Sequence, residues 1–214
     1  MKSAKLLAAA AAAGLLALSP LSSAWAAAPL EGKHYSRLQM PQPTEQAGKV
    51  EVIEFFWYGC PHCFDFEPLL QQWKKKLPAD VHFRKVPAIF RDTWAPGARI
   101  YYTLEAMNLL DRLNESVFNA MIKQRINLND ENTLFDWMAK QGVDRQKFAD
   151  TYKSFSVDAK VRKAAEMTQE YGFGGVPVVI VGGKYMPAPN LGTFGTMLQV
   201  VDGLIAKERA ELKK

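Results

Sequence analysis

From Val50 to Tyr58 the chain reads VEVIEFFWY, a β-branched and aromatic run of strand length. Its near-continuous apolarity, in place of strict alternation, marks a central strand covered on both faces. Such a strand requires layers above and below it, so the rest of the chain must supply helices for two faces. The run ends at Gly59-Cys60-Pro61-His62-Cys63, and from there Phe66, Leu69, Leu70 and Trp73 recur at i, i+3, i+4 and i+7. This predicts a helix entered at the cysteines, with Pro61 in its first turn and Pro68 kinking it part-way along.

Val81 to Val86 alternates as a second strand, and from about Phe90 to Gly172 the periodicity is helical throughout. Five apolar faces are read there: Ile100, Leu104 and Met107; Val117, Phe118, Met121 and Ile122; Leu134, Trp137 and Met138; Phe148, Tyr152 and Phe155; Val157, Val161, Ala164 and Thr168. Asn114, Asn129 and Asp144 are candidate N-caps, and Gly142 and Gly172 stand where helices should stop. Strand character returns at Val176 to Val181, a Gly182-Gly183 turn leads to Lys184 to Met186, and Phe194 to Leu212 closes as a helix. A short first strand is expected near Tyr35 to Leu38. The fold class expected is α/β with a large α-helical insertion: residues 27–90 and 166–214 form one unit, interrupted by a helical unit at 91–165.

The first residues read as an address. Lys2 and Lys5 precede an apolar run of 13 residues, Leu6 to Leu18, and Ala24-Trp25-Ala26 follows as a cleavage signal. Thirteen residues rise about 20 Å as a helix, too short for a hydrocarbon core of about 30 Å. Residues 1–26 are therefore expected to be a removed secretory signal, and no later segment is apolar enough to span a membrane. The 214 residues are 48% hydrophobic and 23% charged, which excludes fibrous and disordered classes. Twenty-seven Lys and Arg against 22 Asp and Glu give +5, and loss of Lys2 and Lys5 leaves +3, too weak and scattered for nucleic acid.

The chain has two cysteines, Cys60 and Cys63. Export into an oxidising compartment would let such a close pair cycle as a disulfide. A helix N-terminus beside Cys60 offers free N–H groups and the positive end of the macrodipole, both of which favour thiolate. His62 adds a donor or positive charge, and Pro61 fixes the turn. A stabilised thiolate stabilises the reduced pair, so its disulfide should be a strong oxidant. A purely structural disulfide over so short a loop would add little stability. Half a zinc site would need two more ligands, with only His34, His62 and His82 to draw on. No metal or cofactor is expected, and His34 and His82 are read as ordinary.

Trp57-Tyr58-Gly59-Cys60-Pro61-His62-Cys63, Pro68 and Gly175-Val176-Pro177 together resemble the thioredoxin superfamily. Glu54-Phe55-Phe56 before the cysteines, the helical insertion and the leader narrow the resemblance to the DsbA family of periplasmic thiol:disulfide oxidants. That family is itself known for a depressed cysteine pKa and an oxidising couple, so the resemblance and the helix argument are not independent. The resemblance implies a thioredoxin-like fold, with Cys60 as exposed nucleophile, Cys63 as buried resolving partner and Pro177 as a cis-proline against the disulfide. It implies that the backbone of Val176 pairs with bound peptide. Glu54 and Lys85 resemble a buried acid and lysine that exchange protons with the resolving cysteine, and Glu67 matches an acid that tunes the site. Trp57 and Tyr58 are expected to contribute to an apolar platform for unfolded chains.

The expected activity is donation of the Cys60–Cys63 disulfide to reduced, unfolded exported proteins, with reoxidation by a DsbB-like, quinone-linked membrane oxidase. Two other readings are a disulfide isomerase or reductase on the same fold, and a redox-inactive peptide-binding or chaperone module. The stretch Ala27 to Val50 leaves no room for an isomerase-type dimerisation domain, so a monomer is expected.

Overall fold

The apolar run beginning at Val50 is an interior strand of a five-stranded mixed sheet. The computed structural model describes residues 28–213, so the expected leader at 1–26 lies outside the described residues. The strands are β1 (Tyr35–Arg37), β2 (Val50–Phe56), β3 (Val81–Pro87), β4 (Val178–Val181) and β5 (Tyr185–Pro187), in the order β1-β5-β4-β2-β3. β2 runs parallel to β3 and antiparallel to β4, and all of it is buried. The helices are α1 (Pro61–Lys74), α2 (Ala95–Ala106), α3 (Leu110–Ile122), α4 (Glu131–Lys140), α5 (Arg145–Tyr152), α6 (Phe155–Glu170) and α7 (Phe194–Leu212).

Side chains alternate along a strand, so β2 sorts its residues between two cores. Val50 and Val52 pack with Phe66, Leu70 and Trp73 of α1 and with Leu198, Val201 and Leu204 of α7. Ile53 and Phe55 join Ile100, Leu104, Phe118, Phe148 and Ala164 from the helices between β3 and β4. Covering on both faces is what the continuous apolarity of β2 required. Among the described residues no helix is long and apolar enough to cross a membrane.

Several local expectations change. α1 continues through Pro68, and its inner face carries buried Glu67 while Leu69 is exposed. Asp144 caps α5 as read, but α4 is capped by Asp130, whose carboxylate accepts the Thr133 N–H, not by Asn129. Asn114 is no cap: buried Leu113 extends the apolar face of Val117 and Phe118 by a turn, so α3 starts at Leu110 and Asn114 lies inside it. Phe155 is 80% exposed, because Ser154 caps a new helix there and breaks the register with Phe148 and Tyr152. Gly142 and Gly172 follow α4 and α6 with φ of 75° and 63°, as helix-stopping glycines do.

Candidate active site

β2 ends at Phe56, and Trp57 to Gly59 turn the chain into α1 so that Cys60 becomes its N-cap. The Cys60 sulfur stands where a capping oxygen would, accepting the Cys63 N–H at 3.3 Å. Pro61 occupies the first turn, where no N–H is missed. The Val176–Pro177 peptide is cis, as expected, and its Val176 carbonyl accepts from the Cys60 thiol at 3.4 Å. Both cysteines are free thiols. Cys63 is fully buried, and Cys60 is only 8% exposed because the Val176 loop covers it, a correction to the exposed nucleophile expected.

The two sulfurs are driven apart electrostatically. The Cys63 thiol hydrogen bond, the backbone N–H groups of Cys63 and His62 and the nearby His62 bring Cys60 down to about 6, against the opposing effect of burial. Burial first, and then the Cys60 sulfur and the Glu54 carboxylate, push Cys63 far above the ordinary thiol range.

Beneath the cysteines lies a cluster of charges. Glu54 of β2 and Lys85 of β3 are register partners, and alternation turns Glu54 toward α1, where Glu67 lies buried. Lys85 Nζ sits 3.0 Å from Glu54 Oε2, is hydrogen bonded to Glu67 Oε2, and stands 4.5 Å over the Phe56 ring. Neither Glu54 oxygen has a partner in hydrogen-bond geometry. Burial raises Glu54 to about 7, opposed by Lys85 and assisted by Glu67. Burial alone would lower Lys85, yet the two carboxylates raise it. All three residues read from the sequence therefore meet in one buried group. Sequence reasoning missed Asn114, which donates to Glu67 Oε1 and accepts from Tyr58 Oη, both at 2.7 Å. Tyr58 is thus core and not surface, at 1% exposure.

Trp57 stacks on Trp94 at 4.1 Å, Trp94 meets Phe90 edge-on, and Phe90 meets Phe173. Phe173 and His62 also line an apolar groove of about 900 Å³ that passes Val176 and Pro177 and reaches Leu191, Phe194 and Met197. Leu191 and Met197 gave no sequence signal, because only the fold brings the segment after β5 and the first turn of α7 to the motif.

His82 does have neighbours: ligand atoms of Glu45, Glu51 and His82 lie within 4.8 Å of one another. Arg84 already provides the positive charge there, with Nε 3.1 Å from Glu51 and Nη1 3.3 Å from Glu45. The group is an ion-pair network. His34 Nδ1 accepts the Leu30 N–H at 3.0 Å.

A reducible cysteine pair at a helix mouth, faced by a cis-proline on a thioredoxin-like sheet, defines a thiol:disulfide oxidoreductase. The model of the DSBA-like thioredoxin domain matches residues 70–199. The thiol:disulfide interchange protein DsbA of Burkholderia cepacia is 43% identical over 196 residues, spanning 91% of this chain and 90% of that protein. The DsbA of Pseudomonas aeruginosa is 42% identical over 186 residues, 86% of this chain and 87% of that protein. Its crystal structure superposes with a TM-score of 0.81, covering 86% of this chain and 96% of that one. The chain belongs to the DsbA family.

Proposed function

We propose that the protein is an exported dithiol oxidase whose Cys60–Cys63 disulfide passes to reduced, unfolded proteins entering the periplasm. The observation that supports this direction is the asymmetry of the pair, Cys60 lowered to about 6 while Cys63 is driven up. Stabilising the reduced form in this way makes the disulfide oxidising.

A substrate thiolate attacks Cys60 Sγ, the Cys60–Cys63 bond breaks, and its electron pair goes to Cys63 Sγ. That sulfur demands a proton, which Glu54, near neutrality and paired with Lys85 and Glu67, delivers. A second substrate thiolate then attacks the substrate sulfur of the mixed disulfide, and Cys60 leaves as thiolate. Counted from the two substrate thiols, two protons are released: one restores Glu54, which gave its own to Cys63, and the other goes to solvent. The substrate gains a disulfide, and the enzyme holds Cys63 as thiol and Cys60 as thiolate. In this reading the Val176 backbone and Pro177 hold the substrate strand beside Cys60, while Pro61 and His62 tune the sulfur. Trp57, stacked on Trp94, belongs to the apolar platform. The exchange needs no cofactor or metal. A DsbB-like, quinone-linked membrane oxidase reoxidises the pair, residues 1–26 direct export, and the protein acts as a monomer. The helical insertion at 91–165 forms one unit, and 27–90 with 166–214 the other.

The test is equilibration of the purified protein in glutathione buffers of graded poise, with the cysteine state read by thiol alkylation. The expected result is a pair that stays reduced until the buffer is distinctly more oxidising than a thioredoxin requires. Thioredoxin-like behaviour would make the protein a reductase, and a Cys60→Ser variant with full activity in cells would make it a redox-inactive binding module.

A further inference from the structure

We propose that Asn114 is a positioning residue for disulfide exchange: from α3 it clamps the Glu67 carboxylate, and through Glu67 it fixes Lys85 against Glu54 beneath Cys63. The inference rests on the disulfide-donor reading above and adds a residue from the helical insertion to that site.

Three observations lead here. Asn114 is 8% exposed, and an amide so buried must be hydrogen bonded at both ends. Its two bonds go to side chains of the redox region, Tyr58 and Glu67, each at 2.7 Å. Neither bond serves the cap of α3, whose first turn begins at Leu110. Glu67 in turn has its oxygens divided: Oε1 accepts from Asn114 and from Gln71, at 2.7 and 2.8 Å, while Oε2 faces Lys85. Two amides hold Oε1, which leaves Oε2 to Lys85, and Lys85 bridges Glu67 and Glu54.

The division of Lys85 between two acids matters because Glu54 has no aligned hydrogen bond of its own. Its titration is therefore governed by burial and by the charges around it: Lys85 from β3, Glu67 and Cys63 from α1, and Cys60 at the cap. Tyr58 and Tyr101 are the other titratable groups within reach of these acids. Releasing Glu67 would leave Lys85 to Glu54 alone and take away a negative neighbour. Both changes favour the Glu54 carboxylate. Asn114, Glu67 and Lys85 also line a groove of about 1110 Å³, so the cluster has a route to water on the side away from the cysteines.

The experiment measures the rate of disulfide transfer to a reduced model peptide across pH 5 to 9 for the wild type, Asn114→Leu and Glu67→Gln, and for the double variant. Asn114→Leu keeps the branched shape and the number of heavy atoms and removes both hydrogen bonds. Its neutral-pH limb is expected to move to lower pH, and that displacement should vanish in the Glu67→Gln background, as it must if Asn114 acts through Glu67. A profile superimposable on the wild type, or an equal displacement in both backgrounds, overturns the proposal. Thermal melts record the structural cost separately. Should Asn114→Leu fail to fold, Asn114→Asp keeps the bond from Tyr58 and replaces the donor to Glu67 with a like charge. An unchanged profile for that variant is equally contrary. A wild type unable to oxidise the peptide at any pH would instead sink the donor reading, independently of Asn114.

Discussion

Cys60 and Cys63 share one helical turn, yet only one of them meets the free N–H groups of the helix mouth, and this separates their chemistry. A thiol titrates only in the reduced protein, so the pH dependence of stability has a definite sign. The folded value for Cys60, about 6, lies below its ordinary 9.0, so the reduced fold gains stability as pH rises from 6 to 9. That gain is lost as pH falls through 6. Glu54 has the opposite sign: raised from 4.5 to about 7, it costs stability as pH climbs through that interval and is flat above it. Urea midpoints of the reduced minus the oxidised protein, taken between pH 7 and 8, should therefore rise with pH; nearer 9 the raised Cys63, protonated in the fold and ionising in the unfolded chain, opposes the gain. A flat difference would contradict the lowered Cys60. His62 contributes to that lowering, so His62→Ala should move the thiolate absorbance titration of Cys60 upward.

At the scale of elements, α1 is the joint between the chemistry and the core. Its mouth holds the cysteines, and its inner face sends Phe66, fully buried and 4.8 Å from the Phe194 ring, against α7. Phe66→Ala should destabilise the protein by roughly 3–5 kcal/mol, read from thermal or urea unfolding, because α7 and the sheet cannot close over the cavity. The β4–β5 turn is equally constrained: Gly183 has φ of 62°, and a Cβ there would lie 2.1 Å from the Gln42 carbonyl oxygen. Elements like these were legible where the signal is local. The length and apolarity of Val50 to Phe56, the spacing of Phe66, Leu70 and Trp73, and the whole of α7 all follow from nearest neighbours in sequence. The Glu54–Lys85 pair was legible through the family resemblance, and the cost of a carboxylate inside an apolar strand is why such a partner is needed. Asn114 was not, because a polar residue before an apolar run looks like a cap until the packing of α3 on α1 shows where its amide goes. Phe155 failed for a related reason: the Ser154 hydroxyl restarts the helix, and periodicity alone cannot see that.

Across the whole molecule, the fold builds two separate regions for different work. The charged cluster lies under the cysteines, toward the groove bounded by β3, α1 and α3, where protons can reach water. The apolar groove lies beside them, formed by the cis-proline loop, the segment after β5 and the start of α7. Only a substrate with side chains on both sides of its cysteine can use that groove, whereas a small dithiol needs the sulfur alone. Leu191 is placed to separate the two cases, since it lines the groove and is partly buried against the α1/α7 core. Leu191→Lys should lower kcat/KM for a reduced, unfolded protein by about tenfold, the equivalent of about 1.4 kcal/mol of lost apolar contact. Oxidation of dithiothreitol by the same variant should stay within about twofold of the wild type, since 0.4 kcal/mol is all that such a change represents. Equal losses on both substrates would mean that the substitution disturbs the redox pair itself, and the groove would then have no separate part in choosing substrates.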